Sequence, residues 1–129
     1  MHARKAVMSA TEAVSEGLPS TVDARTIAEM GARGEFGEAD VFGPFALDNA
    51  LCPEAAKAKG ISNPVAGAAN CLIAPSIEVG NFLGKAAKYF NRSACAHVVV
   101  GARVPILIPS RVESIEDKLN SIALGVLNV

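Results

Sequence analysis

Short apolar runs alternate along the chain with longer, alanine-rich segments that carry a helical pattern of apolar and polar positions. The runs are nearly continuous, which is typical of strands buried on both faces of a parallel sheet. Five of them predict strands, at residues 5–10, 39–42, 70–74, 96–100 and 105–108. Only four residues separate the last two runs, a spacing that is also compatible with a hairpin.

Four segments between these runs predict helices. The first begins near Ser20, which together with Asp23 resembles a helix-capping pair, and it ends near Gly31. The second lies within residues 47–59 and starts near Pro53, so that the stretch before Pro53 forms a loop or a separate turn. The last two run from 76 or 77 to about 90 and from about 113 to 127.

This order of elements predicts an α/β fold with a mostly parallel sheet. Helices cover both faces of such a sheet, and right-handed crossovers between parallel strands then give a three-layer αβα sandwich. No internal repeat, low-complexity tract or linker breaks the pattern. Residues 1–129 are therefore predicted to form one domain.

Composition argues against several classes of function. The 12 basic and 13 acidic residues give a net charge of −1, whereas nucleic-acid-binding proteins usually carry a basic stripe. There is neither a signal-peptide pattern nor an apolar run near the ~20 residues that span a bilayer, so a cytoplasmic protein is expected. Widely spaced Cys52, Cys71 and Cys95 fit buried thiols, and neither His2 nor His97 has a second ligand at metal-binding spacing. We therefore predict no metal site.

The pair Ser110-Arg111 is the strongest candidate for chemistry, because ligands bind beyond the carboxyl ends of parallel strands. A helix start there would offer free N–H groups and a partial positive charge, and Arg111 would add a forked cation, which together suit phosphate. Alternatively, Ser110 only caps the helix through a capping box with Glu113, and Arg111 is a surface arginine. Ser114 with Asp117 fits the same capping pattern.

Acidic residues follow in the first turns of this last helix. Glu116 and Asp117 either complement the helix dipole or supply a general base for a nucleophile held near Ser110-Arg111. A helical turn advances ~5.4 Å, so the second role requires the carboxylate to lie on the correct face.

A second cluster is Gly43-Pro44, followed by Asp48 and Asn49. Glycine permits close approach of the backbone, and Asp48 is placed either to accept from a ligand or to orient Asn49. The alternative is a turn that ends the strand, followed by an aspartate that caps the next helix.

A third cluster combines Gly80-Asn81 with Lys85, which lies one turn later on the same helix face. These residues either contact a phosphate or nucleotide or are simply solvated. Spacing alone leaves both interpretations open.

Five segments in sequence order carry a resemblance to a known family. They are GPFALDNA (43–50), PVAG (64–67), ANCLIAPSIEVGNFLGK (69–85), VGARVP (100–105) and SRVESIEDKLNSIA (110–123). Together they resemble the carboxy-terminal half of phosphate butyryltransferases. The related phosphate acetyltransferases share the Gly-Pro-x-x-x-Asp, Gly-Asn and Ser-Arg elements.

The resemblance implies transfer of an acyl group between coenzyme A (CoA) and phosphate, with no metal or prosthetic group. It implies that Ser110 and Arg111 bind phosphate and stabilise the developing charge. It also implies that Asp117, or alternatively Glu116, deprotonates the CoA thiol. The implied substrate-binding positions are Gly43, Pro44, Asp48, Gly80, Asn81, Lys85 and Arg103.

The resemblance further implies the second domain of a two-domain enzyme, with a fold like that of isocitrate and isopropylmalate dehydrogenases. The last helix is apolar on two faces and needs two coverings. In the family it packs towards the first domain, so in this chain we expect it to be exposed or to be covered by another copy. The predicted partners are acyl-CoA or CoA, phosphate, and either a homo-oligomer or a separate amino-terminal domain, without nucleic acid or membrane. The alternative is a non-catalytic α/β module that binds CoA or phosphate or serves assembly.

Overall fold

The computed structural model describes residues 2–129, in which two units are distinguished, one up to Asn81 and one from Phe82 to Val129. The strands of the first unit are β1 (Arg4–Met8), β2 (Asp40–Phe45) and β3 (Cys71–Ile73). Its helices are α1 (Pro19–Ala32), α2 (Leu47–Leu51) and α3 (Pro53–Ala58). Helix α4 (Ile77–Asn91) runs from the first unit into the second, which also contains α5 (Ile115–Val126).

The three strands of the first unit form a parallel sheet in the order β2-β1-β3. Lys5 on the central strand pairs with Val41 on one side and with Cys71 on the other. The predicted α/β class and the parallel sheet are therefore confirmed for this unit. The split of residues 47–58 into two short helices at Pro53 also follows the prediction.

Both faces of this sheet carry a core, because successive side chains of a strand point to opposite faces. One cluster comprises Ala6, Met8, Phe45, Ala50 and Val65. The other comprises Val7, Ala24 and Val41, with Ala24 supplied by α1. A continuous apolar run in β1 is thus explained by burial on two sides.

The predicted end of β2 at Gly43-Pro44 is wrong, because the strand continues to Phe45. Phe45 pairs with Met8 of β1, and its carbonyl accepts a hydrogen bond from the N–H of Ser9 at 2.7 Å. Burial of the Phe45 side chain, which is 1% exposed, stabilises the three additional residues of the strand.

The predicted cap of α1 is also wrong. The helix begins with Pro19 after Leu18, and Ser20 lies inside its first turn. Proline is favoured at this position because the first N–H groups of a helix have no intrahelical acceptor. The Ser20 hydroxyl instead lies 2.8 Å from that of Ser9, beyond the end of β1.

In the second unit, the predicted strands at 96–100 and 105–108 are not formed. The described residues show a single antiparallel bridge between Val99 and Ile106, whose backbone hydrogen bonds measure 2.8 and 3.1 Å. The hairpin that the spacing allowed is therefore the better description of this segment.

Helix α5 explains why the chain before Val99 pairs with no strand. The N–H of Cys95 donates to the Asp117 carboxylate at 2.9 Å, and the N–H of His97 donates to the Ser121 hydroxyl at 2.9 Å. Asp117 and Ser121 are one turn apart and therefore present their side chains on one face of α5. Side chains thus satisfy the alternate N–H groups that a neighbouring strand would otherwise bind.

Gly31 offers a test of the packing between α1 and β2. A Cβ atom at Gly31 would lie 2.5 Å from the Cβ of Val41. We expect Gly31→Ala to lower the free energy of unfolding by about 1–3 kcal/mol, because one of the two elements must shift. The matched control is Gly84→Ala in α4, where the new Cβ would meet no other described group within 4 Å. Alanine should stabilise that helix by up to about 1 kcal/mol. Urea denaturation measures the free energy of unfolding of both variants. An equal change in the two would contradict the close packing of α1 against β2.

Candidate functional site

The amino-terminal end of α5 is capped by Ser114. Its hydroxyl accepts a hydrogen bond from the N–H of Asp117 at 3.1 Å and donates to the Asp117 carboxylate at 2.8 Å. Of the two capping patterns in the sequence, this one is therefore formed. The helix begins at Ile115, two residues after the predicted start.

Ser110 and Arg111 lie in the turn that precedes this cap. The Ser110 carbonyl accepts from the N–H of Glu113 at 3.1 Å, which closes the turn. The Ser110 residue is half-buried, whereas Arg111 is exposed and forms no salt bridge within residues 82–129. Its positive charge therefore stays unneutralised within the second unit. The implied role of the pair in phosphate binding stays a prediction.

Asp117 is 7% exposed, and both of its carboxylate oxygens accept hydrogen bonds. One oxygen accepts from the N–H of Cys95, and the other pairs with the Lys88 ammonium and accepts from Ser114. These donors, and Lys88 above all, hold the pKa of Asp117 well below its usual range. In turn, the carboxylate of Asp117 raises the pKa of Lys88.

This environment bears on the implied catalytic role of Asp117. A carboxylate with a strongly lowered pKa binds a proton weakly, so a catalytic base at this position needs the loss of at least one of its donors. Glu116 and Asp117 do line a common cavity of about 420 Å³, together with Lys88 and Arg92. As far as residues 2–129 define it, the lining of that cavity does not include Arg111. The roles of Asp117 and Glu116 stay predictions.

The ion pair between Lys88 and Asp117 predicts a distinct pH dependence of stability. Because the pKa of Asp117 is lower in the folded state, its contribution is present above about pH 4 and is lost as pH falls below that value. The pKa of Lys88 is raised in the folded state, so the stability that its ammonium group contributes is lost only at alkaline pH, above about 10.4. We expect Asp117→Asn to lower stability at neutral pH and to flatten the loss below pH 4. Urea unfolding from pH 2 to 7 measures this difference, and parallel curves for the two proteins would contradict it.

Asp48 belongs to a polar cluster in the first unit that sequence reasoning found only in part. Lys59 contacts Asp48 at 3.1 Å and Glu12 at 3.3 Å, and Glu12 accepts from the side-chain amide of Asn49 at 3.1 Å. Lys59 lowers the pKa of Asp48, and Asp48 raises that of Lys59. Glu12 and Lys59 lie too far from Asp48 in sequence for spacing to have indicated the cluster. A substrate contact at Asp48 stays a prediction.

Packing accounts for the glycine at Gly43. A Cβ there would lie 2.9 Å from the side chain and the carbonyl oxygen of Val7, and 3.1 Å from the Ala24 carbonyl. Pro44 is buried beside it in β2. Close packing is sufficient to explain the glycine, and a binding role for Gly43 or Pro44 stays a prediction.

The remaining predicted contacts lie on exposed or half-buried surfaces. Gly80 and Asn81 lie in α4 within the first unit, and Lys85 follows one turn later. Arg103 is exposed in the turn between Val99 and Ile106, where Gly101 adopts a φ of 96° that favours glycine. Their roles stay predictions.

Among the described residues, nothing covers one of the apolar faces of helix α5. The four large side chains of this face are Ile115, Leu119, Ile122 and Val126, which are between 53 and 79% exposed.

None of the described helices is long and apolar enough to cross a membrane. Among residues 2–129, no group of three His, Cys, Asp or Glu side chains comes together as a metal site would require.

The three-stranded parallel sheet with its helices makes the first unit a small α/β domain. The chain belongs to the phosphate acetyl/butaryl transferase family, whose model matches residues 1–126. This finding confirms the resemblance drawn from the five sequence segments.

Individual relatives agree with the family assignment. A phosphate acetyltransferase of Rickettsia typhi is 46% identical over 122 residues, which are 95% of this chain and 35% of the relative. A phosphate butyryltransferase of Clostridium beijerinckii is 43% identical over 124 residues, or 96% of this chain and 41% of the relative. The crystal structure of a branched-chain phosphotransacylase from Enterococcus faecalis superposes with a TM-score of 0.83 at 35% identity, covering 98% of this chain and 45% of the other. The chain thus spans less than half the length of each.

Proposed function

We propose that this chain supplies the phosphate-binding part, and part of the CoA-binding part, of a phosphate acyltransferase. The reaction is acyl-CoA + phosphate = acyl phosphate + CoA, with an acetyl or butyryl group transferred. The single observation that carries the proposal is the family match over residues 1–126. The relatives named phosphate acetyltransferase and phosphate butyryltransferase support it at 46 and 43% identity.

Charge and position support a role for Ser110 and Arg111 in this reaction. A phosphate oxygen attacks the thioester carbonyl carbon, the carbon–sulfur bond breaks, and the sulfur leaves as a thiolate that takes up a proton. Negative charge develops on the carbonyl oxygen during the attack, so a guanidinium without an acidic partner in its own unit is well suited to the site. The Ser110 hydroxyl adds a hydrogen-bond donor beside it.

The same proposal extends to the location, fold and assembly of the enzyme. We expect a cytoplasmic protein with a dehydrogenase-like three-layer sandwich, completed by a second copy of the chain or by an amino-terminal domain. The uncovered face of α5 supports a covering of this kind, because side chains such as Ile115 and Leu119 are mostly exposed.

A turnover assay tests the proposal. Purified chain is incubated with acetyl-CoA or butyryl-CoA and phosphate, alone and mixed with the separately expressed amino-terminal domain of a full-length relative. We expect CoA release that depends on phosphate and increases when that domain is added. Phosphate-independent release, equal with and without protein, would contradict the enzymatic proposal. Binding of CoA and phosphate without release in either mixture would favour the non-catalytic module instead.

A further inference from the structure

The turn that carries Ser110 and Arg111 leads directly into a buried carboxylate, that of Glu113. Its side chain is 4% exposed, and one of its oxygens lies 3.0 Å from Nε2 of His97. The other oxygen, Oε2, is buried and has no hydrogen-bond partner among residues 2–129. Burying a carboxylate is costly unless a donor or a cation pairs with it, so the ionised form of Glu113 depends on His97.

His97 is held beside this turn through its backbone as well as through its ring. Its N–H donates to the Ser121 hydroxyl at 2.9 Å. Glu113 is itself fixed to the turn, because its N–H donates to the Ser110 carbonyl at 3.1 Å. The His97 ring is therefore separated from the turn by a single glutamate side chain. It is nevertheless 50% exposed, so a ligand at the turn has access to it.

The contact with Glu113 determines which ring nitrogen of His97 is available for proton transfer. When Nε2 donates to the carboxylate, the neutral imidazole carries its lone pair on Nδ1. A buried carboxylate in this position fixes the tautomer and stabilises the imidazolium that forms, which is how general acid–base catalysis uses such a pair. Asp117 is less suited to this task, because three donors already occupy its carboxylate.

We propose that His97 carries the proton in the acyl transfer and that Glu113 positions it, an inference that rests on the proposed function. Nδ1 takes the proton of the phosphate hydroxyl as that oxygen attacks the thioester carbon and forms the carbon–oxygen bond. The carbon–sulfur bond then breaks, its electron pair stays on sulfur, and the imidazolium gives the proton to the thiolate. His97 ends neutral, as it began, and the products are acyl phosphate and CoA.

Imidazole ¹⁵N signals of the full chain test this arrangement without turnover. The chain has two histidines, and His2 provides a matched control in the first unit, where its Nε2 lies 2.9 Å from the Asp40 carboxylate. We expect the neutral His97 ring to carry its proton on Nε2. Inorganic phosphate should shift the Nδ1 signal of His97 saturably and leave the His2 signals unchanged.

Three results of this titration would overturn the proposal. They are a neutral His97 ring protonated on Nδ1, the absence of a shift at His97, and equal shifts of both rings. The amide signals of Ser110 and Arg111 report phosphate binding at the turn separately. A shift of these amides without a shift of the His97 ring would therefore contradict the proton carrier and leave the proposed function intact.

Steady-state kinetics test the transfer itself, in whichever mixture the chain turns over. His97→Ala should lower kcat by about 10²-fold and change the KM for phosphate by less than about threefold, because it removes the proton carrier and leaves the phosphate-binding turn. Added imidazole should restore part of this rate, which a purely structural role of His97 would not allow. His2→Ala should keep the wild-type rate with and without imidazole. A kcat of His97→Ala within about twofold of wild type, or an equal response of both variants to imidazole, would contradict the proposal.

Glu113→Gln tests the positioning role, since it removes the charge with little change of shape. The amide of the new side chain is a donor to the ring and favours the wrong tautomer, so kcat should fall at least about tenfold. The ¹⁵N signals should then show part of the neutral His97 rings protonated on Nδ1. Asp40→Asn makes the same change beside His2 and should leave kcat unchanged. An unaltered His97 tautomer together with an unaltered kcat in Glu113→Gln would rule out the positioning role.

Discussion

Replacing Arg111 with alanine is expected to lower the rate of phosphate-dependent CoA release by about 10²–10³-fold, in whichever mixture the wild-type chain shows activity. The reason is the position of the guanidinium, which is exposed and forms no salt bridge within residues 82–129. Under the proposed function, its loss removes a cation that stabilises the developing negative charge. Arg111→Lys should recover only part of the rate, because an ammonium cannot bind phosphate through two parallel hydrogen bonds.

The matched control is Arg33→Ala. Arg33 follows α1 in the first unit and pairs with Glu35 at 2.7 Å, so its charge is already neutralised. Initial rates measured at several phosphate concentrations should be unchanged within about twofold. A comparable loss of rate in both variants would show that Arg111 contributes only to overall charge.

The largest expected effect on stability comes from Phe45→Ala, which should lower the free energy of unfolding by about 3–5 kcal/mol. Phe45 is 1% exposed and packs against Met8 and Val65 in the cluster that covers one face of the sheet. Because domains of this size are stable by only about 5–15 kcal/mol, the variant should be substantially unfolded at moderate urea concentrations.

Phe90→Ala provides the control for the same chemical change. Phe90 lies in α4 and is 87% exposed, so truncation should change stability by no more than about 0.5 kcal/mol. Circular dichroism during urea titration gives the midpoint for each protein. Similar midpoints for the two variants would contradict the assignment of Phe45 to the core.

The first unit was largely predictable because its pattern is local. The apolar run of β1 is buried on both faces, and Pro53 divides α2 from α3 as proline chemistry requires. The errors concern contacts that sequence spacing does not encode. The extension of β2 to Phe45 depends on burial against Met8, a residue 37 positions away.

The second unit was less predictable, since side chains replace a strand as hydrogen-bond partners there. An apolar run such as 96–100 favours a strand by pattern, but the N–H groups of Cys95 and His97 are bound by Asp117 and Ser121. For the same reason, the sequence did not indicate the hydrogen-bond partners of Asp117. Its pairing with Lys88 joins positions 29 residues apart on different helices, and no short motif indicates it.

Titration of the ¹⁵N-labelled chain with inorganic phosphate tests the central claim most directly, since it requires neither a partner domain nor turnover. The account predicts saturable shifts of the amide signals of Ser110, Arg111 and Val112, which should be lost in Arg111→Ala and retained in Arg33→Ala. Residues of the first unit, such as Val65, should show no shift. The account would be contradicted if phosphate caused no shift of the Ser110 and Arg111 amide signals, or if it caused equal shifts in the two variants.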